Sequence, residues 1–241
     1  MANDPNFLQL FYKFLTEQYL RILLLTGEHI IISLIALSIT LVICIPLGIY
    51  LTKNERLAPI VIGAANVFQT IPSIALLGFL IVFIGIGNKN AICALVLYSM
   101  LPVLQNTYIG IKGVSSALVQ AARGMGMTDM QILFKVELPL AFPVIVGGVR
   151  VATVWIIGTA SLAAAIGGGG LGRLIFSGLA SLRNEVIFAG ALPATLLALL
   201  VDRGLKQFQI YLSPSNKVKR LLKASKKFES NEKTNKMEVV K

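Results

Sequence analysis

The sequence has few charged residues and few residues that commonly bind metals. Asp, Glu, Lys and Arg make up 14% of its 241 residues, whereas soluble domains usually contain about a quarter. It has one histidine, His29, and two cysteines, Cys44 and Cys93, each inside an apolar run. Such isolated cysteines predict small buried side chains rather than a disulfide or a metal site. We therefore expect a membrane protein with no metal centre.

Two further absences narrow the function. No Asp or Glu occurs between Arg56 and Thr128, which disfavours a carrier driven by protons or sodium, because such carriers commonly place carboxylates in their spans. The chain also lacks a Gly-Lys dipeptide and hence the phosphate-binding pattern G-x-x-x-x-G-K-[ST]. Residues 167–170, four glycines, therefore predict a tight turn rather than a phosphate site. With no Ser-His pair or cluster of His, Glu and Asp, we expect no catalytic residues and no cofactor.

Long apolar runs dominate what is present. Hydrophobic residues make up 56% of the chain, mean hydropathy is +0.78, and a membrane-spanning helix needs about 20 mostly apolar residues. Five runs qualify: residues 30–51, 58–86, 91–111, 138–166 and 186–205. The sequence predicts an all-α, polytopic membrane protein with a transmembrane domain at residues 26–205.

The ends of the chain are expected to differ from this domain. Phe7, Leu10, Phe11, Phe14 and Ile22 recur at helical spacing, which favours an N-terminal helix at residues 1–25 lying in the outer membrane interface, with a sixth span as the alternative. Residues 206–241 form a Lys-rich tail that we expect to be disordered. Beside a span, this tail favours contact with anionic lipid over nucleic acid.

Loop charge predicts the orientation. With five spans, the most basic loops and the tail fall on one side, and the positive-inside rule makes that side cytoplasmic and places the N-terminus outside. The basic loop residues are Lys53, Arg56, Lys112, Arg123 and Lys135 on the predicted inner side, and Lys89, Arg173 and Arg183 on the outer side.

A glycine-broken, partly charged segment at residues 120–143 separates the third and fourth runs. It predicts a short amphipathic helix at residues 117–124, a turn, and a second helix that Thr128 caps together with Gln131. Pro139 and Pro143 are expected to mark where the chain turns into the fourth span. Composition alone favours an ordinary cytoplasmic loop with helical content.

The same segment resembles the EAA loop of ATP-binding-cassette (ABC) importer permeases, with the pattern E-A-A, three residues, G, about nine residues, and I-x-L-P. Gln120 stands at the position of the family's Glu, and residues 136–139 read VELP. The resemblance implies that residues 120–126 are a coupling helix that inserts into a cleft of the ATPase, with Arg123 facing the ATPase and Glu137 bracing the loop base. The implied coupling residues are Gln120, Ala121, Ala122, Arg123, Gly124, Gly126, Glu137 and Pro139.

Residues 68–87, 97–114 and 153–172 resemble the glycine betaine/carnitine/choline permeases, although Arg173 stands where these permeases often have Asp. The resemblance implies a type I ABC importer permease fold. It also implies import of compatible solutes during osmotic stress, and three partners: a cytoplasmic ATPase, a second permease chain, identical or related, and an extracellular substrate-binding protein. The alternatives are a self-contained channel or secondary carrier for a small polar solute, and a membrane enzyme.

Polar and aromatic residues in the spans predict a translocation path, because polar groups at membrane depth usually face a bundle interior or water. Hydrogen bonding between helices is the competing interpretation. Pro72 should break the second span and leave carbonyls that need partners. Arg150 either meets a substrate carboxylate or extends to the cytoplasmic interface. The candidate path residues are Asn66, Gln69, Thr70, Pro72, Gln105, Asn106, Tyr108, Arg150 and Trp155.

Overall fold

The computed structural model describes residues 6–212, and this part of the chain contains helices and no β-strand. The helices are α1 (Phe7–Glu17), α2 (Tyr19–Lys53), α3 (Ala58–Thr70), α4 (Ser73–Ile84), α5 (Asn88–Lys112), α6 (Ser116–Gly124), α7 (Asp129–Ile132), α8 (Leu138–Ala160), α9 (Gly172–Ala180) and α10 (Asn184–Leu212). A π-helical turn, Leu133–Glu137, joins α7 to α8, and a 3-10 turn, Ser161–Ile166, continues α8.

Among the described residues, α2, α5, the run Asp129–Ile166 and α10 are each long and apolar enough to cross a membrane. The pair α3 and α4 meets the same condition together, but its two helices are bent by 104°. The chain is therefore an all-α, polytopic membrane protein with four spans, or five if the bent pair is counted, which confirms the predicted fold class.

Helix α5 lies at the centre of the bundle, between α2 and α8. Small residues allow this close packing: a Cβ added at Gly148 of α8 would lie 2.5 Å from the Pro102 carbonyl oxygen, and one at Gly48 of α2 would lie 2.7 Å from Thr107 Cβ. Because apolar side chains gain little from burial when lipid is the alternative, close backbone approach of this kind stabilises helix pairs in membranes.

The predicted second span is broken at Pro72, as the sequence indicated. Helix α3 ends at Thr70, Ile71 has an extended backbone (φ −68°, ψ 131°), and α4 begins at Ser73. The Ile71 carbonyl, which the break leaves without a helical partner, accepts a hydrogen bond from the Tyr98 hydroxyl of α5. The cost of an unpaired backbone group at membrane depth is thereby avoided.

The predicted turns at Pro139 and Pro143 are wrong. The chain remains helical from Asp129 to Ala160. Pro139 lacks an N–H, and its ring would clash with the carbonyl four residues earlier in a regular helix. The π-helical turn immediately before it changes this register. Pro143 lies inside α8, where its carbonyl accepts a hydrogen bond from Gln209 Nε2 at 2.7 Å.

The structure also changes two helix boundaries. Residues 7–25 do not form one helix: α1 ends at Glu17, Gln18 leaves the helical conformation, and Tyr19 begins the 35-residue α2. At the other end, α10 runs to Leu212 rather than ending near residue 205, because its polar last turns still fit a helix. The remainder of the predicted basic tail, residues 213–241, lies outside the described residues.

Candidate functional site

The segment between α5 and α8, residues 113–137 (the coupling segment), is built around an exposed short helix. Helix α6 spans Ser116–Gly124, close to the predicted residues 117–124. Gly126 follows it with φ +78°. The Gly126 N–H bonds to the Arg123 carbonyl at 2.9 Å, and the Met127 N–H bonds to the Ala122 carbonyl at 3.1 Å. These are the two bonds of a Schellman motif, which requires a left-handed residue at this position.

The second helix of the coupling segment has the predicted cap. Thr128 Oγ1 accepts from the Gln131 backbone N–H at 3.4 Å, and Gln131 Oε1 accepts from the Thr128 N–H at 2.9 Å, which confirms the capping box. Arg123 of α6 also pairs with Asp129 of α7, Nη2 to Oδ1 at 3.0 Å. Both side chains of that pair are exposed, so the pair orients α6 relative to α7 on the surface.

The predicted coupling residues do not share one environment. Ala122 is 2% exposed and holds α6 against the protein. Gln120, Ala121, Arg123 and Gly124 are exposed. Within the described part of the chain, a Cβ at Gly124 or at Gly126 would meet no other atom within 4 Å. The outer face of α6 is therefore free to contact another molecule.

A cleft lies between α6 and the ends of α2 and α5, and both Gln120 and Glu137 line it, as do Lys53 and Lys112. Lys112 forms an ion pair with Glu55 of the loop before α3. The hydrogen bond from Lys112 and its positive charge lower the pKa of Glu55. Glu137 is half-buried in the π-helical turn.

The candidate path residues fall into two groups by exposure. Asn66, Thr70, Pro72, Gln105 and Trp155 are exposed in the single chain, whereas Gln69, Asn106, Tyr108 and Arg150 are half-buried. Two of the polar side chains bond within their own helix: Thr70 Oγ1 donates to the Val67 carbonyl at 2.8 Å, and Asn106 Nδ2 donates to the Pro102 carbonyl at 2.7 Å.

Arg150 has a partner that neither sequence interpretation considered. Its Nη2 donates to Asp202 Oδ2 at 3.0 Å, and its Nε donates to Asp202 Oδ1. This two-pronged ion pair joins α8 to α10, with side-chain exposures of 31% and 27%. Asp202 could have been found from the sequence, because it is the one acid in the two apolar runs 138–166 and 186–205, and an acid at membrane depth needs a basic partner such as Arg150 or Arg203.

The fold defines a multi-pass membrane protein with a central bundle and one exposed helical segment between two spans. The chain belongs to the family of binding-protein-dependent transport system inner membrane components, whose model matches residues 44–214. It is thus a component of a transport system and belongs to a family of permeases.

The chain is similar to the glycine betaine/carnitine/choline transport system permease protein OpuCB of Bacillus subtilis (strain 168), with 49% identity, covering 73% of this chain and 82% of the relative. It is also 43% identical to the carnitine transport permease protein OpuCB of Listeria monocytogenes, covering 83% of this chain and 92% of the relative.

Solved structures share the fold. A structure of the MetNI methionine ABC transporter in an inward facing conformation matches with a TM-score of 0.69 and 25% identity, covering 78% of this chain and 94% of that chain. An amino acid ABC transporter matches with a TM-score of 0.67 and 17% identity, covering 83% of this chain and 98% of that chain. The type I ABC importer permease fold predicted from the sequence is confirmed.

Proposed function

We propose that this chain is the permease subunit of an ABC importer that moves glycine betaine, carnitine, choline or similar compatible solutes across the cell membrane. The observation that carries the proposal is the exposed face of α6, set between two spans of a chain whose relatives bear these transport names. A self-contained channel or carrier would leave this ordered, exposed helix without a role.

The coupling segment is the proposed contact with a cytoplasmic ATPase. Gln120, Ala121, Arg123 and Gly124 present an exposed face, while Ala122, Gly126 and the Thr128 cap fix the backbone that carries it. A rigid helix transmits displacement better than a mobile loop, because the geometry is held at both of its ends. ATP hydrolysis would take place on the partner subunit.

One chain supplies half of the proposed path. Asn66, Thr70, Gln105 and Trp155 are exposed here and would line the path together with a second permease chain, identical or related. A quaternary ammonium group is attracted to aromatic faces, which makes Trp155 and the half-buried Tyr108 suitable for transient contact. An extracellular substrate-binding protein would deliver the solute.

The proposed orientation follows loop charge. The coupling segment and the C-terminal tail face the cytoplasm, α1 lies on the outer side, and contact of the tail with anionic lipid is expected. Arg150 no longer needs a substrate carboxylate or the cytoplasmic interface as its partner, since Asp202 accepts hydrogen bonds from its Nε and Nη2. We assign this pair to joining α8 and α10.

The proposal is tested by reconstituting the chain in liposomes with and without its ATPase and binding protein, and measuring uptake of labelled glycine betaine. Uptake should require both ATP and the ATPase. Uptake that persists without the ATPase would establish a self-contained channel or carrier and contradict the proposal. Labelled choline and carnitine, measured in the same vesicles, define the substrate range.

A further inference from the structure

The glycine loop, residues 167–170, has no side chains of its own and can therefore be attached to the protein only through its backbone. It follows the 3-10 turn that ends α8 and precedes α9. Gly167 has φ +74° and Gly170 has φ +87°, so both ends of the loop use conformations that favour glycine.

Three side chains from other helices hydrogen-bond to the loop, and one of them, Arg173 of α9, donates from Nε to the Gly168 carbonyl at 3.0 Å. The Gly169 N–H donates to Asn88 Oδ1 at 2.7 Å, and the Gly170 N–H donates to Glu28 Oε2 at 3.0 Å. Asn88 is the first residue of α5, and Glu28 lies in the N-terminal part of α2. Helices α5 and α2 thus each supply one oxygen that accepts from a loop N–H group, at two successive residues.

Close packing accompanies these hydrogen bonds. A Cβ at Gly169 would overlap Glu28 Oε2, and one at Gly170 would lie 3.0 Å from His29 Nδ1. His29 is fully buried, and its Nε2 lies 2.9 Å from the Ile157 carbonyl of α8. The backbone of the loop therefore rests directly against α2 in a position that only glycine can occupy.

The loop lies at the opposite end of the bundle from the coupling segment. Asn88 and Lys112 are the first and last residues of the 25-residue α5, which at 1.5 Å per residue separates the two ends by about 37 Å. Under the proposed orientation this is the outer end. Alternating access requires that end to open and close while the coupling segment moves at the other end.

We propose that Glu28 and Asn88 are positioning residues that hold the glycine loop across the outer end of the bundle, and that the loop is released when this end opens during transport. The proposal rests on the proposed function. Residues 168–170 are buried, and opening the outer end would let water replace their three side-chain hydrogen bonds at small net cost. Because the loop glycines carry no apolar side chains, their release separates less apolar surface than the release of a loop with large side chains would.

The first test compares Glu28→Ala with Glu28→Gln in the complete reconstituted transporter. Gln retains an oxygen that accepts from the Gly170 N–H, whereas Ala removes it. We expect Glu28→Ala to raise the number of ATP molecules hydrolysed per solute imported several-fold, and Glu28→Gln to remain near the wild-type ratio. Asn88→Ala should change the ratio in the same direction as Glu28→Ala. An unchanged ratio would overturn the proposal. This holds whether ATP hydrolysis and solute import are both unaffected or both fall in parallel with the amount of assembled complex.

The second test measures hydrogen exchange at residues 168–170 in the complete transporter. The Gly169 and Gly170 amides should be protected without nucleotide and should exchange roughly tenfold faster after trapping with ATP and vanadate, because each loses its acceptor. Equal protection in the two states would contradict release of the loop. Failure of the proposed function is distinct from this result, because it appears as uptake by the wild type that does not depend on ATP or the ATPase.

Discussion

The two glycine turns at opposite ends of the bundle have the same backbone motif and different surroundings. At Gly126 and at Gly167, φ is +78° and +74°. Each is followed by a residue whose N–H bonds five residues back, Met127 to Ala122 and Gly168 to Ala163. Nothing in residues 6–212 contacts the position of a Cβ at Gly126, whereas the loop after Gly167 is held by Glu28 and Asn88. The same glycine turn thus leaves an exposed surface that a partner can contact at one end of the bundle. At the other end it leads into a loop that is bound by the chain's own helices.

The largest loss of stability is expected from Gly172→Ala, a substitution just after the glycine loop. A Cβ there would overlap the Ser161 carbonyl oxygen, a backbone atom that cannot move aside. We expect the free energy of unfolding to fall by about 3 kcal/mol. The measurement is thermal unfolding of the purified chain in detergent. Gly124→Ala, where a Cβ meets open space, is the matched control at the other end. Equal stability of the two variants would show that the chain just after the glycine loop is packed no more tightly than the exposed end of α6.

Arg150→Ala should have the next largest effect, because it leaves Asp202 without its partner between α8 and α10. We expect a smaller loss of stability than for Gly172→Ala, since both side chains are partly exposed and water can solvate the carboxylate that remains. The exchanged variant Arg150→Asp with Asp202→Arg should recover part of this loss.

Measurements of solute uptake distinguish the role of Arg150 in joining α8 to α10 from a role in substrate binding. Among assembled transporters, Arg150→Ala should alter uptake of glycine betaine and of choline to the same extent, because choline has no carboxylate. A selective loss of betaine and carnitine uptake would instead restore the interpretation that Arg150 meets the substrate.

Gly126→Ala should have a smaller effect on stability, about 1 kcal/mol, because a non-glycine residue is placed at φ +78° without a steric clash. Gly126→Asn is the control, since asparagine tolerates the left-handed region better. ATP-driven uptake should fall in the Ala variant and remain near wild type in the Asn variant. If both variants lose uptake equally, residue 126 contacts the ATPase directly rather than only shaping the end of α6.

Gly124→Arg should leave stability nearly unchanged and still abolish coupling. Gly124 has ordinary helical geometry, and nothing lies near its Cβ position, so a large side chain adds bulk to the exposed face without strain. The measurement compares stimulation of the ATPase and uptake with the unfolding temperature. Normal uptake in this variant would show that the ATPase does not contact this face of α6.

The smallest effect concerns pH at the coupling end. Because Lys112 lowers the pKa of Glu55, the ion pair stabilises the folded protein above the ordinary pKa of a glutamate carboxyl. That stability is lost as pH falls through the lowered value. Lys112→Met should remove this component from the pH dependence of unfolding below the ordinary glutamate pKa of about 4.3, and since Glu55 is exposed the change should be small. An identical pH profile in the variant would show that the pair makes no contribution.

The sequence alone determined the class of fold, the helix break at Pro72 and the capping box at Thr128 and Gln131. These follow from local chemistry: apolar run length, a missing N–H, and two side chains three residues apart. Local reasoning failed at Pro139, where it predicted a turn, because the chain can widen into a π-helical turn and remain helical. It also joined residues 7–25 into one helix, whereas the structure separates α1 from α2 at Gln18, because helical spacing alone does not show where a helix ends.

Only the tertiary structure decided which residues meet across the bundle. Asp202 lies 52 positions after Arg150, and Glu28 lies 142 positions before Gly170. Side chains this far apart in the sequence come into contact because helix packing fixes their depth along the bundle and the direction in which they face. Neither the depth nor the direction can be determined from a short stretch of the sequence. For the same reason the sequence could identify two glycine turns but could not indicate that one is exposed and the other is held by α2 and α5.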